Sequence, residues 1–336
     1  MIKVALLGFG GIAQAAHMPA YRELEAKGKM QLVAVCDIDP TRFGGNMEIN
    51  IGSDNEALSE TVKRYTDWRD MVANENFDMV DICVPTFLHA ELAIEMLNRG
   101  YHVLSEKPMS LCYEDCLRMC EAAKAADRQL MIGQCLRFGN EYLYLKKVVE
   151  ENTFGKPLSG VFRRLSAPPI WGWDNWFMDA ERSGGCILDL HIHDIDMLRY
   201  LFGEPTAISC DAQDVYSKND LAHSRLYYPG FSMLAIGDWS QQGLPFTCDY
   251  RVAFEHASVD FAGGQITVYP REGEPYTPDW TPNNFYTAEI AYFIDLLETG
   301  VANTENPPES AAKTVKLISA LRASAEAGGE KQPYSL

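Results

Sequence analysis

Gly8-Phe9-Gly10-Gly11-Ile12-Ala13 is the stretch that decides the fold, and it follows directly on an apolar run from Ile2 to Leu7. Beyond it, helical character extends from Gln14 to Lys27, and a second apolar run from Leu32 to Cys36 ends at Asp37. This order of strand, glycine turn, helix, strand and acidic residue is typical of a parallel βαβ unit that binds a dinucleotide. We therefore expect a pyrophosphate at the N-terminus of the first helix.

Each small residue of this turn has a physical task. Gly8 permits the tight turn, Gly10 lets the backbone approach a pyrophosphate, and Ala13 lets the helix pack on the strand. Asp37 would accept hydrogen bonds from ribose hydroxyls and repel a 2′-phosphate, which favours NAD over NADP. Arg42 follows a few residues later and weakens that preference, so NADP stays an alternative cofactor.

Length and charge limit the kinds of partner. A chain of 336 residues exceeds the usual size of one hydrophobic core, so two domains are expected. The formal charge of −18 repels nucleic acid and acidic membranes alike. No apolar stretch reaches the ~18 residues that a membrane span needs. These features indicate a small-molecule ligand, with neither nucleic acid nor membrane as a partner.

The nine cysteines lie mostly in apolar surroundings, as in Val35-Cys36 and Ile82-Cys83, which is typical of a reducing compartment. We therefore expect a cytoplasmic protein. Cys112, Cys116 and Cys120 recur every four residues and would form one stripe on a helix. Because the outer two would lie about 12 Å apart along the axis, we interpret the stripe as packing and expect no metal site.

The pattern of strands and helices divides the chain. Strands alternate with helices as far as Gly133, which predicts a Rossmann-type doubly wound parallel sheet for residues 1–133. Residues 134–336 favour a second α/β domain with a largely antiparallel open sheet and two closing helices near Tyr286–Thr299 and Ser310–Ala327. Its predicted strands include Leu158–Leu165, Ala207–Cys210, Ser232–Trp239, Arg251–Phe254, Ser258–Phe261 and Gln265–Tyr269. The edge of an open sheet has to be covered, so we expect a homodimer or homotetramer.

Glu106-Lys107-Pro108 ends the predicted strand from His102 to Ser105. Doubly wound sheets bind their ligands at the carboxyl ends of the strands, where a lysine is suited to proton transfer. Pro108 would fix the backbone at this point. Neighbouring residues on a strand point to opposite faces, which argues against a simple ion pair between Glu106 and Lys107.

A second group of polar residues follows Gly184-Gly185. If the run after these glycines is one helix, Asp189, His193 and Asp196 share a face at spacings of four and three residues. Such a face presents an acid that holds a substrate hydroxyl beside an imidazole that takes its proton. His191 and His193 together also suggest a metal site. Residues two apart on a helix point in different directions, however, and bind a common metal poorly, so we interpret His191 as a structural histidine.

Trp171-Gly172-Trp173-Asp174-Asn175-Trp176-Phe177 precedes this group. Aromatic faces stack on the apolar faces of sugars, and Asp174 or Asn175 offers hydrogen bonds to hydroxyls. A loop that fills a core or a subunit contact is an equal alternative. Arg163 and Arg164 end an earlier predicted strand, and alternation along the strand puts only one of them toward a pocket.

Taken together, these motifs resemble those of the Gfo/Idh/MocA family, named for glucose-fructose oxidoreductase and inositol 2-dehydrogenase. The resemblance rests on Gly8-x-Gly10-x-x-Ala13, Glu106-Lys107-Pro108 and Asp189-x-x-x-His193, and it covers nearly the whole chain. Supporting matches are His17 and Pro19, Pro85-Thr86 with His89, Arg137-Phe138 with Tyr142, Gly155-Lys156-Pro157 and Ser183-Gly184-Gly185. The family often has glycine at the position of His191 and proline at that of Asn140, and the first departure would reshape the substrate pocket or mark a subgroup.

The resemblance implies a Rossmann domain followed by an α/β domain whose open sheet commonly mediates oligomers. It also implies hydride transfer between a nicotinamide and a sugar or polyol carbon. Lys107, Asp189 and His193 are then expected at the reacting centre, with either Lys107 or His193 as the base. The residues expected to hold the cofactor are Gly8, Phe9, Gly10, Gly11, Ile12, Asp37, Ile38, Val84, Pro85, Thr86, His89, Glu106, Lys107 and Pro108. The candidate substrate contacts are Arg137, Arg164 and Trp176.

The leading functional prediction is an NAD(P)-dependent dehydrogenase that acts on a secondary alcohol of a sugar, cyclitol or sugar derivative. One alternative is a redox-neutral enzyme in which tightly held NAD oxidises a glycoside transiently, elimination cleaves the bond, and the hydride returns. Another is a ligand-sensing regulatory protein of the same fold. A regulatory protein should have lost its catalytic groups, whereas Lys107, Asp189 and His193 are all present.

Overall fold

The computed structural model describes residues 1–44 and 58–336. They form two compact units. The first unit contains Met1–Cys135, Trp171–Trp176 and Asn284–Ala312, and the second contains Leu136–Ile170, Phe177–Asn283 and Lys313–Leu336. Among the described residues, no helix combines the length and the apolar character that crossing a membrane requires.

The first unit is built on a six-stranded parallel sheet with the strand order β3-β2-β1-β4-β5-β6. Its central strands β1 and β4 are mostly buried, so apart from Lys3 and Asp81 they read as apolar runs. The strands are β1 (Ile2–Leu7), β2 (Met30–Cys36), β3 (Lys63–Tyr65), β4 (Met79–Ile82), β5 (His102–Glu106) and β6 (Leu130–Gly133). The helices between them are α1 (Met18–Ala26), α2 (Trp68–Asn74), α3 (His89–Asn98) and α4 (Tyr113–Ala126). This confirms the predicted doubly wound sheet, and the order reverses between β1 and β4, where such folds bind ligands.

The first helix begins differently from the prediction. A wide π-helical turn, Ala13–His17, precedes α1 instead of one regular helix from Gln14 to Lys27. Pro19 stands at the start of α1 and has no N–H to donate into the preceding turn, which suits a change of helix type here. His17 ends the wide turn with its side chain directed into the protein, 1% exposed.

The second unit is built on an eight-stranded sheet with the order β13-β12-β11-β7-β10-β9-β8-β14, in which β14 is the short strand Gln332–Pro333. All neighbouring strands are antiparallel except β7 and β10, which confirms the predicted, largely antiparallel sheet. Its elements in chain order are α5 (Asn140–Glu150), β7 (Pro157–Leu165), α6 (Ala180–Ser183), α7 (Gly185–Asp189), α8 (Ile192–Phe202), β8 (Ala207–Gln213), β9 (Leu221–Tyr228), β10 (Phe231–Asp238), β11 (Thr247–Phe254), β12 (Ala257–Ala262) and β13 (Gln265–Pro270). Strand β9 lies outside the predicted elements.

The last elements of the chain are α9 (Phe285–Thr299), α10 (Pro308–Glu326) and β14 (Gln332–Pro333). The side chain of Asn284 caps α9 by accepting the N–H groups of Tyr286 and Thr287. Although α9 lies late in the sequence, it belongs to the first unit. Four of its residues are buried in the same cluster as side chains of β1 and α1: Ile290, Phe293, Ile294 and Leu296.

Candidate active site

The glycine turn forms where β1 ends. Gly8 has a φ of +89° and donates its N–H to the carbonyl oxygen of Cys36 over 2.8 Å. A Cβ atom at Gly8 would lie 2.4 Å from the carbonyl oxygen of Cys83. Only glycine fits, because the φ value is unfavourable for a side chain and the space is already filled. The turn thus packs closely against the ends of β2 and β4.

Asp37, which follows β2, is bound to this turn. One carboxylate oxygen accepts the N–H of Phe9 over 2.7 Å, and the other accepts the N–H of Asp39 over 2.9 Å. The Nε atom of Arg42 lies 3.9 Å from Asp37 and 3.7 Å from Asp39. The neighbouring Ile38 is 67% exposed. The carboxylate is thereby fixed in orientation next to the glycine turn, where the sequence predicts the adenosine ribose.

Several features of the glycine turn and of the segment after β4 fit NAD. The helix begins at Gly11 and Ile12, and the first N–H groups of a helix have no partner within it, which makes them ready to bind a pyrophosphate. The Thr86 hydroxyl is buried, and the described residues offer it no hydrogen-bond partner. The same holds for Oε1 of Gln14, whose Nε2 donates to the carbonyl oxygen of Phe9 over 2.8 Å. The glycine turn, the first N–H groups of the helix, the fixed Asp37 carboxylate and the Thr86 hydroxyl together match what a dinucleotide needs.

The carboxyl ends of β4 and β5 carry the rest of the predicted cofactor residues. Val84, Pro85 and Thr86 follow β4, and Glu106 ends β5 before Lys107-Pro108. His89 links the two segments, since Nδ1 lies 2.7 Å from the carbonyl oxygen of Pro108 and Nε2 lies 2.8 Å from that of Val84. Burial lowers the pKa of His89. The neutral ring carries one N–H, so His89 donates to one of the two carbonyl oxygens and lies against the other.

A buried cluster behind Lys107 was not predicted from the sequence, in which His17 counted only as a supporting family match. The His17 ring lies between two carboxylates, with Nδ1 2.6 Å from Asp81 and Nε2 2.8 Å from Glu106. The Tyr21 hydroxyl donates to Asp81, and the Cys83 sulfur lies 3.7 Å from Nδ1. Burial by itself lowers the pKa of an imidazole, but Asp81 and Cys83 outweigh it and raise the pKa of His17 well above its ordinary value. The sequence signal that could have revealed the cluster is a charged Asp81 inside an otherwise apolar strand.

The second unit holds the other predicted catalytic residues. Asp189 ends α7, and His193 lies in the first turn of α8, so the predicted single helix is interrupted. The N–H of His191 bonds to the carbonyl oxygen of Cys186 and closes α7, and the N–H of His193 bonds to that of Leu190 and opens the next turn. Asp189 is buried, with 8% of its surface exposed, and His193 is partly buried. The short break therefore places the acid and the imidazole on different helices, although they are only four residues apart in sequence.

Asp196 is bound to other side chains. Its carboxylate accepts two hydrogen bonds of 2.7 Å from Arg137, and it also accepts the Thr314 hydroxyl. Arg164 is likewise held by α8, because it donates two bonds of 3.2 Å to Asp194. Both predicted substrate arginines are thus buried with their guanidinium groups bound to carboxylates.

Trp176, the third predicted substrate contact, is 9% exposed. It lies in a 3₁₀ segment, Trp173–Met178, in which Asp174 and Asn175 have left-handed φ values of 49° and 50°. Such values are uncommon outside glycine but are tolerated by aspartate and asparagine. The two residues turn the chain sharply before Trp176.

His191 is fully buried, and its Nε2 lies 2.8 Å from the Ser224 hydroxyl. Its Nδ1 has no hydrogen-bond partner among the residues that the structure describes. Burial, with smaller contributions from His223 and Arg164, lowers the pKa of His191 to about 3. A Cβ atom on Gly237 of β10 would lie 2.7 Å from this ring, so glycine at 237 makes the room that histidine at 191 needs.

Comparison with known proteins gives two family matches. Residues 2–134 match the model of an oxidoreductase family with an NAD-binding Rossmann fold. Residues 142–259 match the model of the GFO/IDH/MocA C-terminal domain. These matches confirm the predicted NAD-binding domain and the predicted resemblance.

Individual relatives match over part of their length. A myo-inositol 2-dehydrogenase of Thermotoga maritima is 40% identical over 144 residues, which are 42% of this chain and 41% of that protein. A 2,7-anhydro-N-acetylneuraminate hydratase of Escherichia coli is 33% identical over 168 residues, 48% of this chain and 41% of that protein. The chain therefore spans about two fifths of the length of these curated relatives.

A solved structure shares the fold over almost the whole chain. The aldose-aldose oxidoreductase from Caulobacter crescentus, complexed with glycerol, has a TM-score of 0.83 at 22% sequence identity. The likeness covers 99% of each chain. It supports the fold of both units.

Proposed function

The chain belongs to the Gfo/Idh/MocA family, and from that premise we propose that it is an NAD-dependent dehydrogenase acting on a secondary alcohol of a sugar, cyclitol or sugar derivative. The observation that carries the proposal is the position of Lys107. It leaves β5 at the carboxyl edge of a sheet whose glycine turn and fixed Asp37 fit a dinucleotide. A basic side chain at that edge is suited to a hydroxyl that loses a proton as it loses a hydride.

The proposed cofactor contacts come from the glycine turn, from Asp37 and Ile38, and from the ends of β4 and β5. When bound, NAD supplies the nicotinamide carbon that takes the hydride. Asp37 would hold the adenosine ribose through its two carboxylate oxygens, and this favours NAD over NADP. Arg42 lies beside Asp37 and is the residue through which NADP would gain affinity.

The proton chemistry is assigned to three residues. Lys107, through a hydrogen bond from Nζ to the hydroxyl oxygen, and Asp189 would bind the reacting hydroxyl and leave its hydrogen to the base. The unprotonated ring nitrogen of His193, or Nζ of Lys107 in its neutral form, would then take the proton. Arg137, Arg164 and Trp176 stay proposed substrate contacts, and the ion pairs of the two arginines favour a supporting role.

A second candidate is the redox-neutral reaction, and one observation favours it. The Escherichia coli relative that is 33% identical is named as a hydratase. The addition of water to a substrate involves no net oxidation or reduction. The same proton-transfer residues would serve such a reaction. The two candidates differ in the fate of the cofactor, because only the dehydrogenase accumulates NADH.

The first experiment is an assay of NADH absorbance. Purified protein is incubated with NAD or NADP and a panel of polyols, aldoses, inositols and sugar acids. NADH formation with one substrate class supports the dehydrogenase and names that class. No NADH with any compound, together with NAD released from the denatured protein, would favour the redox-neutral reaction. No turnover and no cofactor binding would overturn both.

Assembly, location and domain roles complete the proposal. We propose that residues 1–133 bind the cofactor and that residues 134–336 bind substrate and form the oligomer. In the second unit, Val161 and Leu234 pair in register on one sheet face and are only partly buried. Covering this face in a homodimer or homotetramer would remove them from water. All nine cysteines, which lie within the described ranges, are free thiols, and this supports a cytoplasmic location.

A further inference from the structure

His17 is held between two acidic side chains in the interior of the first unit. Its Nδ1 lies 2.6 Å from Oδ2 of Asp81 and its Nε2 lies 2.8 Å from Oε1 of Glu106. A ring nitrogen donates to a carboxylate only when it carries a proton, and both nitrogens carry one only in the imidazolium form. The arrangement therefore favours a charged His17 that makes two charge-assisted hydrogen bonds, away from water.

Glu106 extends this arrangement to the main chain of Lys107. Its Oε1 faces His17, and its Oε2 accepts the backbone N–H of Lys107 over 3.0 Å. A carboxylate held at both oxygens has a fixed rotamer. His17 is thus linked, through Glu106, to the backbone at which the chain leaves β5.

The far end of the cluster is anchored as well. Asp81 lies on β4, is fully buried, and receives the Tyr21 hydroxyl in addition to His17. Beyond Lys107, Nδ1 of His89 contacts the carbonyl oxygen of Pro108 over 2.7 Å. The segment Lys107-Pro108 is thus held through Glu106 on one side and through His89 on the other.

A metal ion is the competing explanation for this cluster. Ligand atoms of His17, Asp81 and Cys83 all lie within 4.8 Å of one another. Ligands of a tetrahedral zinc ion would lie about 3.3 Å apart, however, because each nitrogen or oxygen is about 2.0 Å from the metal. The 2.6 Å between His17 and Asp81 is a hydrogen-bond distance, so these side chains bind each other directly.

We propose that His17 is a positioning residue for Lys107: it fixes the Glu106 carboxylate, which in turn fixes the backbone from which the Lys107 side chain departs. The proposal rests on the function proposed above, since it assigns His17 to the same reaction. A small displacement of a reacting group lowers the reaction rate much more than it lowers binding affinity. Loss of the link should therefore lower kcat and leave cofactor affinity nearly unchanged.

Two matched variants separate this role from a merely structural one. In His17→Gln the amide nitrogen takes the place of Nε2 and keeps a donor for Glu106. In His17→Asn it takes the place of Nδ1 and keeps a donor for Asp81. Both variants remove the same charge and one of the two hydrogen bonds, so their losses of thermal stability should be similar.

We expect His17→Asn to lower kcat by about 10- to 100-fold and His17→Gln to stay within about fivefold of the wild type. The dissociation constant of NADH, measured by fluorescence, should change less than about threefold in both. Equal losses of kcat in the two variants, or none in either, would overturn the proposal.

A second readout does not depend on turnover. Hydrogen exchange of the Lys107 amide, followed by NMR in protein labelled at the lysine nitrogens, should accelerate about tenfold more in His17→Asn than in His17→Gln. Equal exchange in both variants would also overturn the proposal. If the wild type turns over no substrate, the proposed function fails, and the amide exchange still decides whether His17 fixes Lys107.

Discussion

The position of a Cβ atom on Gly8 would lie 2.4 Å from the carbonyl oxygen of Cys83, a distance that no side chain tolerates. We therefore expect Gly8→Ala to separate β1 from β4 and to lower the free energy of unfolding by at least about 3 kcal/mol. NADH binding should be lost with the geometry of the turn. Urea unfolding and NADH fluorescence measure the two effects.

Gly28→Ala is the matched control for this change. Gly28 also has a positive φ, +69°, but no atom lies within 4 Å of its Cβ position. Its substitution should cost only about 1 to 2 kcal/mol for the left-handed backbone. Equal losses in the two variants would show that close contact at Gly8 is unimportant.

Asp37 should control the choice between NAD and NADP. In Asp37→Ser the acceptor for the N–H of Phe9 is weakened and the charge that repels a 2′-phosphate is lost. We expect kcat/KM to fall about 10- to 100-fold for NAD and to rise for NADP. Adding Arg42→Ala should remove the gain with NADP. An unchanged cofactor ratio in Asp37→Ser would contradict the assignment.

Lys107→Met should abolish turnover while NADH affinity changes little. The variant keeps the length of the side chain but has no group that donates or accepts a proton. Steady-state rates and NADH fluorescence are the measurements. The surface substitution Lys27→Met, which removes an exposed pair with Glu23, is the control and should retain activity. Turnover that survives in Lys107→Met would remove this residue from the mechanism.

His191 should make the protein sensitive to acid. Its pKa is about 3 in the folded protein against an ordinary value of 6.5, so the unfolded chain binds an additional proton between these values. The stabilisation is present above pH 6.5 and is lost as the pH falls towards 3. Wild type should lose about 1 kcal/mol more than His191→Gln between pH 7 and pH 5.5. Urea unfolding at both pH values tests this, and parallel losses would contradict it.

Local chemistry made the glycine turn predictable. The constraints on Gly8 act within one βαβ unit, and the apolar runs around it have the length and spacing of a parallel sheet. The alternating strands after Gly133 indicated the antiparallel sheet for the same reason. Both predictions are confirmed, since period and turn residues are properties of neighbouring positions.

The buried cluster at His17 depends on distant positions. Asp81 and Glu106 lie 64 and 89 residues further along the chain, and nothing near His17 in sequence specifies which carboxylates it meets. The roles of Arg137 and Arg164 were similarly hidden, because only the fold shows that α8 supplies their carboxylates. A charged residue inside a buried strand is the one signal that the sequence offered.

His191 shows how a departure from a family pattern is accommodated. The family often has glycine at this position, whereas here the ring occupies space above β10. Gly237 on that strand leaves room for it, and Ser224 on β9 meets its Nε2. Sequence alone could identify the unusual histidine but not the strand that makes its burial possible.

The membership of α9 in the first unit bears on the order in which the protein is made. Strand β1 and helix α1 are translated well before Ile290 and Phe293, which complete their cluster and follow roughly 150 residues after Cys135. At about 5 to 20 residues per second, the ribosome needs about eight to thirty seconds for that interval. During this time the apolar surface that α9 later covers stays exposed on the nascent sheet.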